Sequence, residues 1–152
     1  MLQQKKIISK ILYKKLLQHI ITDSIMKYKL YFDGNKTPQG TSCSYVVVFD
    51  DKKVLEETKI LSQETSVNEA EYYGVLYGIE KFLDYLKTSC VSTKDVELEI
   101  YGDSQLVIQQ LKGVYECKKP NLRVLRSKVR DLLTNFSSYN FIWVNREQNL
   151  AR

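Results

Sequence analysis

The chain has 152 residues and a net charge of +5, which is length for one domain with a single core. It has no apolar run of about 18 residues or more, which excludes a membrane-spanning helix. Three scattered cysteines, Cys43, Cys90 and Cys117, form no C-x-x-C pair, and His19 is the only histidine; together these exclude a zinc frame and a Ser-His-Asp triad inside the domain, and suggest reduced thiols in an intracellular, reducing compartment.

Residues 1–25 hold five lysines against one aspartate, so four of the five net positive charges sit there. Ile7, Ile8, Ile11, Leu12, Leu16, Ile20 and Ile21 fall on one side of a helical wheel and Lys6, Lys10 and Lys14 on the other, which predicts a basic amphipathic helix. Three roles fit it: an organelle-targeting presequence, a dock for nucleic acid or a protein partner, or a dispensable leader before Met26. The domain proper is expected over residues 26–152.

Tyr28–Phe32 is an unbroken run of aromatic, aliphatic and stem-rich residues, followed by Asp33 and Gly34. It predicts a central strand buried on both faces that ends at Asp33, with Gly34 turning the chain. Residues 35–41, with Pro38 and Gly40, read as a turn. Cys43–Asp50 and Val54–Leu61 are the next strands, joined through the polar residues 50–53 into an antiparallel meander. Ser66-Val67-Asn68-Glu69 fits a capping box that opens a helix running to about Leu86. Its inward side carries Gly74, Val75, Gly78, Ile79, Phe82 and Leu86. Glu71 shares that side, three and four residues before Gly74 and Val75, whereas Glu80 should be solvated. Val96–Tyr101 alternates as a half-buried strand and ends in Gly102-Asp103. A short helix over 104–111, a second long helix to about Leu133 with Leu122, Leu125, Val129 and Leu132 inward, and a last strand over Tyr139–Val144 complete the chain.

This order predicts an α/β fold: a meander of three strands, then two strands parallel to the first, with flanking helices. Ligands of such sheets bind beyond the carboxyl ends of the parallel strands. Asp33 ends the first strand, Asp103 follows the fourth, and Glu71 lies about one turn into the helix that starts at that edge. Like charges gathered this closely raise one another's pKa. A hard cation with oxygen ligands, Mg²⁺ or Mn²⁺, relieves the repulsion, and a pair of such ions supports in-line displacement at phosphate. Two of the acids also have plain alternatives, Asp33 as a turn cap and Asp103 as the N-cap of the next helix; Glu71, acidic on a buried helix face, is the hardest to dismiss.

Four motifs, Y-F-D-G (31–34), N-E-A-E-Y-Y-G-V-L-Y-G-I (68–79), Y-G-D-S-Q-L-V-I-Q-Q-L (101–111) and W-V-N-R-E-Q-N (143–149), resemble the successive motifs of type 1 ribonuclease H in its short archaeal, bacterial and retroelement forms. The resemblance covers residues 28–152. It implies a five-stranded mixed sheet with the first strand central, and metal-dependent cleavage of the RNA strand of RNA–DNA hybrids by two ions. The family's metal-binding, catalytic acids map to Asp33, Glu71 and Asp103. Asn68 maps to a contact with the hybrid backbone, Gly34 to the approach of backbone to the RNA 2′-hydroxyl, and Ser104 and Asn149 to the substrate side.

The chain departs from the family at its end. The fourth family acid falls four residues after the asparagine matched by Asn149, one position past Arg152, and the closing C-terminal helix is absent. Asn145, Arg146, Glu147 and Gln148 stand where many members place a histidine loop, and the basic protrusion of longer members is missing between Leu111 and Pro120. Three acids alone lead to an expectation of weak activity, better rescued by Mn²⁺ than by Mg²⁺. The alternative reading is a catalytically impaired module that binds or assembles within a ribonucleoprotein complex.

Overall fold

A computed structural model describes residues 4, 9–14, 17 and 25–152. Residues 4, 9–14 and 17 are helical and exposed; the rest of the expected amphipathic helix lies outside the described residues. No described helix is long and apolar enough to cross a membrane.

Five strands form one sheet: β1 (Met26–Thr37), β2 (Gly40–Phe49), β3 (Lys52–Leu61), β4 (Val96–Gly102) and β5 (Ser138–Trp143). Their order is β3-β2-β1-β4-β5, with β1 central. β1, β2 and β3 are antiparallel neighbours, while β4 pairs parallel to β1 and β5 parallel to β4. Three helices complete the domain: α1 (Val67–Thr88), α2 (Gln105–Lys112) and α3 (Pro120–Leu133).

The central strand differs from its expected form in two ways. Tyr28, Leu30 and Phe32 are buried, but Lys27 is exposed and Lys29 and Tyr31 are only half-buried. Only the first set meets α1, where Tyr28 packs against Phe82 with ring centroids 4.9 Å apart. On the other face Tyr31 stacks on Tyr101 at 4.7 Å beside a small cluster of Val46, Val48 and Ala151. The strand also does not end at Asp33. It continues to Thr37, so β2 begins at Gly40 and the expected turn over 35–41 shrinks to Pro38-Gln39. The β2–β3 connection is likewise only Asp50-Asp51, both at positive φ of 51° and 60°, the backbone that two-residue hairpins use to match strand twist.

The capping box at α1 forms as expected: the Ser66 side chain accepts from the Glu69 N–H, and the Glu69 carboxylate accepts from the Ser66 N–H. Gly74 and Gly78 carry the close approach of α1 to the sheet. A Cβ at Gly74 would sit 2.9 Å from the Asp33 carbonyl oxygen, and one at Gly78 3.1 Å from Leu30. On α3, Leu133 rather than Leu132 completes the buried set with Leu122, Leu125 and Val129. Pro120 at its first turn loses no hydrogen bond there. All three cysteines are free; Cys43 and Cys117 are buried and Cys90 is exposed.

Candidate metal centre

The last β1–β4 pair is Tyr31 with Tyr101. Two residues further, Asp33 is still held by β2, opposite Ser44. Asp103 follows Gly102, where β4 ends. Glu71 stands five residues after the α1 N-cap, on the side that faces the sheet. One carboxylate oxygen from each of the three lies within 4.8 Å of the others. Ser104, not Asp103, caps α2, accepting from the Val107 N–H at 3.2 Å. The capping alternative for Asp103 therefore falls, and its side chain is left to the cluster.

Gly34 explains how these groups come so close. It is not a turn residue; it pairs with Cys43 inside β1 and β2. A Cβ there would lie 2.3 Å from the Glu71 nitrogen and 2.5 Å from the Ala70 carbonyl carbon. The strand can touch the first turns of α1 only because this position lacks a side chain.

The electrostatics of the cluster are unfavourable without a counter-charge. Glu71 is 5 % exposed, and its Oε2 is buried with no hydrogen-bond partner. Burial first, and then the charges of Asp33 and Asp103, push the Glu71 carboxyl far above the usual range. Asp33 is pushed up by burial and by Asp103, and partly held down by the Gly34 N–H and the Arg146 charge. A buried carboxylate oxygen without a partner calls for an explanation. Three carboxylates within ion-sharing distance give one: the donor set is all oxygen, which suits a hard divalent cation.

Other residues hold the cluster in place. Asn149 is 5 % exposed. Its amide donates to the Phe32 carbonyl at 2.9 Å and to Asp103 Oδ2 at 3.2 Å, and its Oδ1 accepts from the Ala151 N–H at 3.1 Å. Assigned by resemblance to the substrate side, it ties the end of the β1–β4 pair to the Asp103 carboxylate. The Trp143 indole N–H donates to the Asp103 carbonyl at 3.0 Å. Neither tie was legible in the sequence, since both span 40 residues or more; the short 3-10 turn Arg146–Gln148 and its own capping box at Asn145 bring Asn149 back. Arg146, exposed on that turn, places its charge toward Asp33. Glu147 is exposed and lies outside the cluster. Asn68 is half-buried at the start of α1 and lines a cavity of about 240 Å³ with Lys118 and Lys119.

Residues 31–151 match the family described as reverse transcriptase-like. The chain is 32% identical over 121 residues to ribonuclease HI of Halobacterium salinarum, covering 78% of this chain and 57% of that protein. It is 30% identical over 116 residues to a bifunctional protein of Mycobacterium tuberculosis, covering 76% of this chain and 29% of that protein. It thus spans little more than half of the first relative and under a third of the second. Among solved structures it is similar to RNase H1 of Halobacterium salinarum, with a TM-score of 0.70 at 30% identity over 81% of this chain and 89% of that one. It shares the fold of LC11-RNase H1 in complex with RNA/DNA hybrid, with a TM-score of 0.71 at 23% identity over 81% and 88% of the two chains.

Proposed function

The chain belongs to the ribonuclease H family, and from that premise we propose that it hydrolyses the RNA strand of RNA–DNA hybrids, using two divalent cations, Mg²⁺ or Mn²⁺, held by Asp33, Glu71 and Asp103. One observation carries the reading: three carboxylates, on β1, on α1 and just past β4, converge within 4.8 Å, with a buried Glu71 oxygen left unpartnered. When bound, such cations supply an activated water and neutralise charge on the reacting phosphate.

The chain's own residues do the rest. Asp33, Glu71 and Asp103 bind the ions. Asn149 and Trp143 orient Asp103 from its side chain and its backbone. Gly34 lets α1 close on β1 and so sets the carboxylate spacing; by resemblance to the family its backbone also lies at the approach to the 2′-hydroxyl, the group that separates RNA from DNA.

The test is cleavage of end-labelled hybrid, single-stranded RNA and DNA duplex with Mg²⁺ or Mn²⁺. The hybrid's RNA strand should be cut and the other two spared. Asp33→Asn, Glu71→Gln and Asp103→Asn should each lower the rate by more than the ~10–100-fold typical of losing an outer-shell partner, with unchanged circular dichroism. Full activity in chelator, or in Asp103→Asn, overturns the assignment. Hybrid binding without cleavage at any metal concentration would instead support a non-catalytic module of a ribonucleoprotein assembly.

A further inference from the structure

The basic residues of the domain are unevenly placed. Between Lys112 and Arg130 there are seven lysines and arginines and one acid, Glu116. Arg123, Arg126 and Arg130 recur at i, i+3 and i+7, so they share one side of α3, while Leu122, Leu125 and Val129 anchor the other side in the core. Together with the loop from Gly113 to Lys118, the three arginines line a groove of about 630 Å³.

Several features show that the groove is built rather than a loose basic surface. Arg126 Nε is buried and has no acceptor among the described residues. Withdrawing a guanidinium nitrogen from water without a partner is costly, and Arg126 as a whole is only half-buried and lines the groove, where an oxyanion can pair with its charge. Gly113 takes a left-handed φ of 81° as the C-cap of α2, which turns the chain into the loop, and Arg130 Nη2 lies at contact distance, 3.4 Å from where a Cβ would be. The loop is tied from below: Tyr72 donates to Gln110 Oε1 at 2.7 Å, and Gln110 Nε2 donates to the Glu116 carbonyl at 3.5 Å. Glu116 is the one acid on the rim, and its carboxylate is 4.0 Å from Lys118. Among the described residues none of the three arginines has an ion-pair partner.

The groove also adjoins a second, smaller cavity. Glu116 and Lys118 line it and also the smaller cavity that holds Asn68, which stands three residues before Glu71 on α1. From Arg123 to Arg130 the helix advances about 10 Å. At about 3.4 Å of duplex axis per phosphate on one strand, that is the span of about three phosphates. A row of this length suits a polyanion better than a single phosphate ion.

We propose that the groove of Arg123, Arg126 and Arg130 is a second phosphate-binding site, which takes the backbone of a nucleic-acid strand leading away from the carboxylate cluster. It rests on the proposed function only for which nucleic acid is bound, and the test separates the two.

The full chain, kept in EDTA so that nothing is cut, is titrated against fluorescein-labelled RNA–DNA hybrid by anisotropy between about 50 and 200 mM salt. The variant is Arg123→Gln/Arg130→Gln, both exposed, which leaves the partly buried Arg126 in place. Its control is Lys52→Gln/Lys81→Gln, which removes the same charge from exposed positions outside the groove. Thermal melts confirm that both fold. The arginine variant should flatten the slope of log affinity against log salt by about two, at about 0.9 per phosphate contact, and the control should not. Equal slopes for wild type and the arginine variant overturn the site, and so does an equal flattening in the control, which would reduce the effect to net charge. Cleavage is read separately with Mg²⁺. A flattened slope in a chain that cuts nothing keeps the groove and removes the nuclease reading; hybrid cleavage with an unchanged slope does the reverse.

Discussion

Gly34→Ala adds one methyl group at the point where β1 meets α1. The new Cβ would lie 2.3 Å from the Glu71 nitrogen, 2.5 Å from the Ala70 carbonyl carbon and 2.9 Å from the Ala70 Cβ. Two of these three atoms are backbone, so no rotamer change removes the clash. Ordinary carbon contacts begin near ~3.5 Å, so the first turns of α1 must retreat from β1 by about 1 Å. Overpacking of this kind costs about 1–3 kcal/mol, which for a domain of this size lowers the melting temperature by roughly 2–4 °C per kcal/mol. The functional cost should be larger. The retreat carries Glu71 away from Asp33 and Asp103, and a misplacement of about 1 Å can cost on the order of a hundredfold in rate. The assay pairs a thermal melt with hybrid cleavage and a Mn²⁺ titration followed by water-proton relaxation. The expected result is a chain that remains folded, melts several degrees lower, binds Mn²⁺ more weakly and cuts at about a hundredth of the wild-type rate. A variant with wild-type Mn²⁺ affinity and rate would refute the claim that bare backbone at position 34 sets the carboxylate spacing.

Without metal, stability should depend on pH through the cluster. Asp33 and Glu71 have folded pKa values raised above their unfolded ones, so the folded chain binds more protons and is penalised where both groups must ionise. In EDTA the melting temperature should therefore rise as pH falls from 8 toward 5, through the raised value of about 6 for Asp33; Mg²⁺ should lift the pH 8 value most, and Glu71→Gln should flatten the profile. A melting temperature in EDTA that falls steadily over that range would contradict the cluster's electrostatics. Asn149→Ala strips the Phe32 carbonyl and Asp103 of a shared donor, at a cost of about 1–3 kcal/mol for the unsatisfied buried group. It should also slow cleavage by ~10–100-fold, as loss of an outer-shell partner does, and wild-type melting and turnover would show that the tie is idle.

Much of this protein is written in local pattern. Alternation along β4, the capping box at Ser66 and the inward stripe of α1 are properties of neighbouring residues, and each element formed where its own sequence placed it. Their order in the chain, with the handedness of parallel crossovers, was enough to bring Asp33, Glu71 and Asp103 to one edge. Tertiary structure decided what depends on distant partners. Gly34 read as a turn because a glycine after a strand is ambiguous; only the arrival of Ala70 and Glu71 against it shows that the strand runs on and needs the space for a helix. Lys29 and Tyr31 read as part of a doubly buried strand because a mixed run does not reveal which face a helix will cover. Asn149 reaches Phe32 across 117 positions. The sequence alone assigns the three arginines of α3 no role; they become one wall of a groove only because the Gly113–Lys118 loop settles beside them. Side-chain periodicity reports what a residue's own helix or strand demands, whereas a contact between elements depends on where two backbones settle, and that is set by the packing of the whole core.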